Sequence, residues 1–339
     1  MISSAFSALV AAPKVCGRIV ANDRSLYLVE TEHGQHHAQI IGSMRYQTED
    51  PRDFPVVGDY VSLLQAGDVF MIDSVLPRKN LFARRAKDGS HYMQSIAANI
   101  DTLFITVAVN RDFNIRRLER YVVSASAFEV PFAIVLTKID LVEDHDQFID
   151  SVREILSGVP IVALSSIDGR GYAALQQYCG PEKTIAFVGS SGVGKSTLIN
   201  SLLGKAILEV GGIRETDGRG RHTTTRRLLL HREDGTAIID TPGMREFTVA
   251  EADQGVTDVF QEIMSIAQSC KYNNCKHIEE PGCAVLDNVD DSRLASWRQL
   301  EREAAFEARK TDRRAAVIEK EKWKAVHKAN RRREREGEI

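Results

Sequence analysis

The sequence lacks the features that mark secreted and membrane-spanning proteins. It contains five cysteines among 339 residues, too few for a disulfide scaffold in a chain of this length. It has no apolar run of the roughly 18 residues that cross a bilayer. No basic residue precedes Lys14, whereas a signal peptide begins with a basic segment. We therefore expect a cytoplasmic protein with reduced thiols and no membrane partner.

An excess of charge of one sign is also missing. The chain has 44 lysines and arginines against 47 aspartates and glutamates, a net charge of −3, so its overall charge indicates no nucleic-acid partner. Near the C-terminus, however, basic residues from Lys322 to Arg333 surround Trp323. This pattern suits contacts with RNA phosphates, and it suits a solvated helix end equally well.

One glycine-rich segment carries specific chemistry. Residues 189–197 match the phosphate-binding pattern G-x-x-x-x-G-K-[ST], between an apolar run at 184–188 and a helical segment at 196–203. Glycines let backbone N–H groups turn toward a phosphate chain, and the helix N-terminus adds partial positive charge. Lys195 is expected to reach the β- and γ-phosphates, and Ser196 to ligate Mg²⁺. The predicted nucleotide-binding residues of this loop are Gly189, Ser190, Ser191, Gly192, Val193, Gly194, Lys195, Ser196 and Thr197.

A second motif, T-K-I-D at residues 137–140, indicates which base is bound. The two carboxylate oxygens of Asp140 can accept from the N1–H and the exocyclic amine of guanine, a pair of donors that adenine lacks. Alone, this motif could simply end a strand, but beside a phosphate loop it predicts a guanine site. The Lys138 stem would cover one face of the base. Ser165 and Ser166, which follow the next predicted strand, would donate backbone N–H groups to the oxygen of the base. The predicted base-binding residues are Thr137, Lys138, Ile139, Asp140, Ser165 and Ser166.

The segment after the phosphate loop is predicted to respond to the γ-phosphate. Residues 214–225 are polar and glycine-rich, which predicts a mobile loop. A threonine in this loop, Thr224 or its neighbour Thr223, would ligate Mg²⁺ and meet the γ-phosphate. In the D-x-x-G motif further along, Asp240 would hold Mg²⁺ through water and the Gly243 N–H would sense the γ-phosphate.

Hydrolysis needs a group that orients the attacking water. Many GTPases place a glutamine directly after D-x-x-G, but here that residue is Met244, whose thioether cannot orient water. His222 lies close to Thr224 in the predicted mobile loop and is the nearest polar candidate. We therefore predict His222 and Thr224 as catalytic residues, and slow hydrolysis by the isolated protein.

Four residues near the C-terminus have the spacing of a metal site. Cys270, Cys275, His277 and Cys283 form the pattern C-x4-C-x-H-x5-C. Three thiolates and one imidazole make a closed tetrahedral set suited to one structural Zn²⁺. The alternative, reduced core cysteines beside a surface histidine, fits poorly because the intervening residues are polar. Cys16 and Cys179 stand alone and are expected to be small buried residues.

Strand and helix patterns predict three parts. Five short strand-like runs between residues 14 and 80 predict a small β-barrel resembling the oligonucleotide-binding (OB) barrel. From residue 99, apolar runs alternate with helical segments, which predicts a doubly wound α/β sheet. The predicted boundaries are an OB-like barrel at 1–85, a GTPase domain at 86–248, and a zinc-binding helical module with a basic helical tail at 249–339.

The order of the motifs is unusual, because the guanine motif precedes the phosphate loop, whereas ordinary GTPases have it last. A permuted chain can build the same site, because the positions of the binding groups depend on which strands are neighbours in the sheet and not on the order of the strands along the chain. Residues 137–140, 189–197, 220–224 and 240–243 match, in order, the motifs of the circularly permuted RsgA (YjeQ) family, which this chain resembles over nearly its whole length. Two departures are Thr137, which stands where asparagine is common in that family, and the tail beyond about Leu300, which is longer and more charged than the resemblance leads us to expect.

The resemblance implies a GTP hydrolase that binds the small ribosomal subunit, acts in its late maturation and is stimulated by it. It also implies contacts with ribosomal RNA, Mg²⁺ with GTP or GDP, a structural zinc ion and a monomeric protein. Two other functions fit part of the sequence: a zinc-stabilised RNA-binding protein that only senses the nucleotide, and a phosphate-loop kinase for a small molecule. Asp140 argues against the kinase, because it predicts recognition of guanine. Hydrolysis of GTP would separate the ribosome-binding GTPase from the RNA-binding protein that only senses the nucleotide.

Overall fold

The first part of the chain folds into a closed five-stranded barrel. The computed structural model describes residues 3–23, 26–48, 50–67, 69–85, 93–111, 113–208, 227–241 and 253–306. The barrel strands are β1 (Val15–Asp23), β2 (Leu26–Thr31), β3 (Gly34–Ile40), β4 (Tyr60–Ala66) and β5 (Val69–Val75). They lie in the order β1-β2-β3-β5-β4, and β4 returns to pair with β1. The structure therefore confirms the predicted small barrel.

Two short helices, α1 (Ser4–Ser7) and α2 (Gly42–Gln47), accompany the barrel. The fourth strand begins at Tyr60, although the apolar segment that contains it starts at Val56. The reason is a turn in which the buried Asp59 carboxylate accepts from the Val56 N–H at 2.8 Å. Arg78 closes this turn, because its Nη2 donates to Asp59 Oδ2 at 2.7 Å. Arg78 thus has a structural role in the barrel.

A two-stranded hairpin follows the barrel, and the sequence patterns did not predict it. Its strands are β6 (Leu81–Arg85) and β7 (Met93–Ala98), which pair antiparallel and separately from the main sheet. Ala97 and Ala98 are fully buried, and the Ala98 N–H donates to Val57 O at 3.0 Å. The hairpin therefore packs against the turn that precedes β4.

The central part is the predicted α/β sheet. Its strands are β8 (Thr102–Ala108), β9 (Phe132–Thr137), β10 (Ile161–Ala163), β11 (Thr184–Gly189), β12 (Leu228–His231) and β13 (Ala237–Asp240), in the order β10-β9-β8-β11-β13-β12. All neighbours are parallel except β12 with β13. The helices are α3 (Ile115–Ala127), α4 (Asp146–Ile155) and α5 (Lys195–Leu203), while Tyr172–Tyr178 is a 3-10 helix.

This topology brings the nucleotide motifs together. In a parallel sheet the carboxyl ends of the strands share one edge, where ligands bind. Residues 137–140, 189–197 and 240–241 follow or end β9, β11 and β13 at that edge. The strands β8, β9 and β11 are nearly continuous runs of buried residues. Such runs are expected for the central strands of a parallel sheet, because both of their faces are covered.

The barrel and the α/β sheet are joined edge to edge. Ala21 of β1 pairs with Leu228 of β12, which makes one eleven-stranded sheet. His231 Nε2 lies 2.7 Å from Glu30 Oε2 across this joint. Arg18 is buried there as well, and its Nη2 donates to Thr184 Oγ1 at 2.6 Å at the start of β11.

The C-terminal part is helical, with α6 (Asp253–Val259), α7 (Gln261–Ala267), α8 (Ala284–Asn288) and a further helix α9 over residues 291–306. Helices α6 and α7 are separated at Phe260, whose ring is fully buried and whose backbone leaves the helical region (ψ 32°). Gly255 lets α6 lie close to α3, because a Cβ there would come within 2.3 Å of Val123 O.

One hydrophobic core continues through the barrel, the sheet and the C-terminal helices. Buried members come from each part, for example Ile72, Val122 and Trp297. A second cluster lies on the other face of the sheet around Phe104 and Phe187. Within the described ranges, no helix combines the length and hydropathy that a membrane span requires. The boundaries at 85/86 and 248/249 stay a prediction.

Candidate GTP site and metal cluster

The phosphate loop connects β11 to α5. Strand β11 ends at Gly189 and α5 begins at Lys195, so the loop lies between a buried strand and a helix N-terminus. Gly189 has φ +151°, and a Cβ there would come within 2.3 Å of Thr106 O. Only glycine lets the loop start this close to the neighbouring strand β8. Gly194, with φ +99°, precedes the first helical residue.

Lys195 is held by the start of its own loop. Its Nζ donates to the carbonyl oxygens of Gly189 and Ser190, both at 2.8 Å. Burial lowers the pKa of Lys195 to about 8, and the charge of Asp240 acts in the opposite direction. Burial raises the pKa of Asp240 to about 6, and Lys195 opposes that shift. The loop thus buries an ammonium near a carboxylate, an arrangement that suits a triphosphate with Mg²⁺.

The guanine motif is bonded directly to the phosphate loop. Thr137 Oγ1 donates to Val193 O at 2.5 Å. Lys138, in the left-handed region with φ +60°, donates from Nζ to Gly192 O at 2.7 Å. Thr137 therefore reaches the loop with its hydroxyl. The two motifs, separated by about fifty residues in sequence, form one structural unit.

Asp140 presents an oxygen without a partner. Its Oδ1 is buried, and no hydrogen bond reaches it from the described residues. A buried acceptor of this kind is costly unless a ligand supplies a donor. Ile139, in contrast, is buried in the core, and its N–H donates to Leu164 O at 3.4 Å. The Ile139 side chain therefore faces the protein and not the ligand.

The two serines after β10 have different surroundings. The buried Ser165 N–H donates to Arg170 O at 3.0 Å, and its Oγ accepts from Ile167 N at 3.2 Å and Asp168 N at 3.4 Å. Ser165 thus shapes the loop, and its backbone donor is already engaged. The Ser166 Oγ accepts from the Tyr172 hydroxyl at 3.2 Å. The candidate donor to the base oxygen is then the Ser166 N–H.

Several predicted site residues lie outside the described residues. They are His222, Thr223, Thr224 and Gly243, together with Met244 and the basic segment 322–333. Ser196 and Thr197 are described, and both lie half-buried in the first turn of α5. The described part of the site therefore contains the phosphate loop, the base motif and Asp240.

The four predicted zinc ligands form a single cluster. One candidate ligand atom from each of Cys270, Cys275, His277 and Cys283 lies within 4.8 Å of all the others. Cys270 Sγ lies 3.9 Å from Cys283 Sγ, and His277 Nδ1 lies 3.4 Å from Cys283 Sγ. Four ligands at ~2.3 Å from one zinc ion would have their sulfurs about 3.8 Å apart. The set therefore fits a structural zinc ion, and Trp297 of α9 packs against the His277 ring at 5.8 Å between centroids.

Comparison with known proteins identifies the family. The chain matches the family profile described as RsgA GTPase over residues 75–250. A curated relative, the small ribosomal subunit biogenesis GTPase RsgA 2 of Lactiplantibacillus plantarum, is 43% identical over 303 residues, which cover 87% of this chain and 84% of the relative. The chain belongs to the RsgA GTPase family. It is therefore a GTP-hydrolysing enzyme, and the family implies Mg²⁺ with GTP.

Solved structures confirm the permuted fold of this RsgA-family chain. The crystal structure of YjeQ from Thermotoga maritima is 27% identical and has a TM-score of 0.60, covering 85% of this chain and 97% of that chain. A structure described as YloQ, a circularly permuted GTPase, has a TM-score of 0.57 at 24% identity and shares the fold over 89% of this chain and 96% of that chain. A second profile, described as 50S ribosome-binding GTPase, matches residues 184–334.

Two residues at the RsgA-family site escaped the sequence analysis. Thr241 Oγ1 donates to Phe187 O and ties the end of β13 to β11. Arg117 of α3 donates from Nη1 to Ser190 Oγ at 3.1 Å, within the phosphate loop. A threonine directly after the D of D-x-x-G is a local signal that could have indicated the first contact. Nothing in the helix pattern of residues 115–127 indicates the second.

Proposed function

We propose that this protein binds GTP between residues 137–140 and 189–197, acts on the small ribosomal subunit in late maturation, and hydrolyses GTP faster when the subunit is bound. The observation that carries guanine recognition is the buried Asp140 Oδ1 without a partner among the described residues. The choice of subunit is supported by the name of the curated relative.

The proposed roles of the site residues follow from their positions. The backbone of residues 189–197 surrounds the phosphates, and Lys195 meets the β- and γ-phosphates. Asp140 accepts from the guanine N1–H and amine, the Lys138 stem covers the ring, and the Ser166 N–H donates to the base oxygen. Ser196, Thr224 and, through water, Asp240 would hold Mg²⁺, whose chemical contribution is to neutralise charge on the transferred phosphoryl group.

Contacts with ribosomal RNA are proposed for the barrel and for the C-terminal part. The basic segment from Lys322 to Arg333 would bind RNA phosphates, which makes binding salt-dependent. Neutralising Lys322, Lys324, Lys328 and Arg331 to Arg333 should reduce the slope of log affinity for the subunit against log salt. An unchanged slope would show that this segment is only solvated. We further propose that the protein acts as a monomer in the cytoplasm, where ribosomal subunits are assembled.

A second candidate partner is the large ribosomal subunit. It is favoured by the profile described as 50S ribosome-binding GTPase, which covers residues 184–334. The small subunit is preferred, because the relative that names it matches most of both chains. The two candidates differ in which purified subunit stimulates hydrolysis.

The decisive experiment measures phosphate release from GTP by the full-length protein alone, with purified small subunits and with purified large subunits. We expect slow release alone and strong stimulation by small subunits only, with no turnover of ATP. Stimulation by large subunits only would reassign the partner. GTP binding without turnover under any condition would instead support the RNA-binding protein that only senses nucleotide.

A further inference from the structure

Helix α3 contacts the phosphate loop through one of its faces. Arg117 and Tyr121 are four residues apart and therefore lie on the same face of the helix. Arg117 Nη1 donates to Ser190 Oγ at 3.1 Å, and the Tyr121 hydroxyl is hydrogen-bonded to Ser190 as well. Both side chains thus converge on the second residue of the phosphate loop.

An adjacent face of α3 is anchored to the C-terminal helix α9. Glu119 is fully buried, and Arg293 Nη1 donates to its Oε1 at 2.6 Å. Further along, Arg120 Nη2 donates to Glu303 Oε1 at 2.8 Å. The buried pair of Glu119 and Arg293 fixes the helix strongly, since removing one partner would leave the other charge uncompensated. Arg117 therefore projects from a helix that has little freedom to shift.

Ser190 is connected to the cation of the site. Its carbonyl oxygen accepts from Lys195 Nζ at 2.8 Å, next to the equivalent bond from Lys195 to Gly189 O. The position of the Lys195 ammonium thus depends on where the first two residues of the loop lie. A small displacement of such a group reduces its stabilisation of charge in a transition state more than it reduces ground-state binding.

We propose that Arg117 is a positioning residue for GTP hydrolysis: from the anchored helix α3 it holds Ser190, and through Ser190 it sets the position of Lys195. The proposal rests on the role proposed above for Lys195 at the triphosphate. It assigns no contact between Arg117 and the nucleotide, so the effect of Arg117 must pass through the Ser190 side chain.

A double-mutant cycle in the full-length protein tests this route. Arg117→Ala is expected to lower kcat about fivefold, the value of one exposed charge-assisted hydrogen bond. KM for GTP and affinity for GDP should change by less than about twofold. Arg117→Lys, which retains a cationic donor, should recover part of the rate. In a Ser190→Ala background, Arg117→Ala should have no further effect on kcat.

Arg153→Ala is the matched control, because Arg153 lies on α4 in an exposed pair with Asp150. It should leave kcat and KM unchanged. Losses in kcat that multiply in the double variant would overturn the proposal, because Arg117 would then act independently of Ser190. An unchanged kcat in Arg117→Ala, or a change confined to KM, would overturn it too. A parent protein without any GTP turnover would refute the proposed function itself, and this inference with it.

Discussion

Replacing Asp140 by asparagine tests base recognition with little disturbance of the fold. The substitution keeps the shape of the side chain and exchanges one acceptor oxygen for a donor NH2. In the free protein, Asp140 Oδ1 is buried without a partner among the described residues, so the substitution breaks no hydrogen bond at that atom. We therefore expect the melting temperature to change by less than about 2 °C, since a larger shift requires a loss of about 1 kcal/mol.

The expected loss of GTP affinity follows from the two donors on guanine. A hydrogen bond to a charged group contributes about 1.5–3 kcal/mol. Asparagine retains one acceptor but turns its NH2 toward a guanine donor, so we expect a loss of roughly 2–4 kcal/mol, or about 30- to 1,000-fold in affinity. Xanthine carries an oxygen where guanine carries the amine, and it should therefore bind the variant better than guanine does.

Equilibrium competition against a fluorescent GDP analogue measures these affinities for GTP, ATP and xanthosine triphosphate. Asp150→Asn is the control, because Asp150 is an exposed residue of α4 paired with Arg153. It should keep the preference of the parent for GTP. The assignment of Asp140 to the base would be wrong if the parent bound ATP and GTP equally, or if Asp140→Asn left the preference unchanged.

Three further predictions concern acid stability, zinc and the trigger of hydrolysis. The hydrogen bond from His231 lowers the pKa of Glu30, so this pair stabilises the folded state above the ordinary glutamate pKa of about 4.3 and is lost as pH falls below it. Glu30→Gln should therefore lower the melting temperature by about 2 °C at pH 7 and by less at pH 3, and an equal loss at both values would contradict the reasoning. Cys275→Ala should abolish stoichiometric zinc in metal analysis and increase proteolysis within residues 261–300. The control Cys179→Ala changes a cysteine outside the cluster and should retain the metal. Zinc retained by Cys275→Ala would exclude Cys275 as a ligand. His222→Ala should lose subunit-stimulated phosphate release but keep GTP affinity, with the exposed His33→Ala as control, and unchanged stimulation would remove His222 from the mechanism.

Chemistry that depends on neighbouring residues could be predicted from the sequence alone. The phosphate loop needs its glycines, lysine and serine at fixed spacing between a strand and a helix, and the structure has β11 and α5 on either side. The four zinc ligands lie within fourteen residues of one another, so the spacing already brings them close. Buried strands such as β8 and β9 are visible as apolar runs because both of their faces are covered.

Contacts between distant segments were decided by the tertiary structure. Arg117 and Ser190 are 73 positions apart, and Glu119 and Arg293 are 174 apart. No periodicity specifies such pairs, because they depend on how α3 packs between the sheet and α9. Likewise, the segment at 56–64 is largely apolar and suits a strand, but Asp59 uses its carboxylate to hold a turn there. Side chains that can bond to several partners are assigned to one of them only when packing brings that partner within reach, and for this reason the positioning of Lys195 was not visible in the sequence.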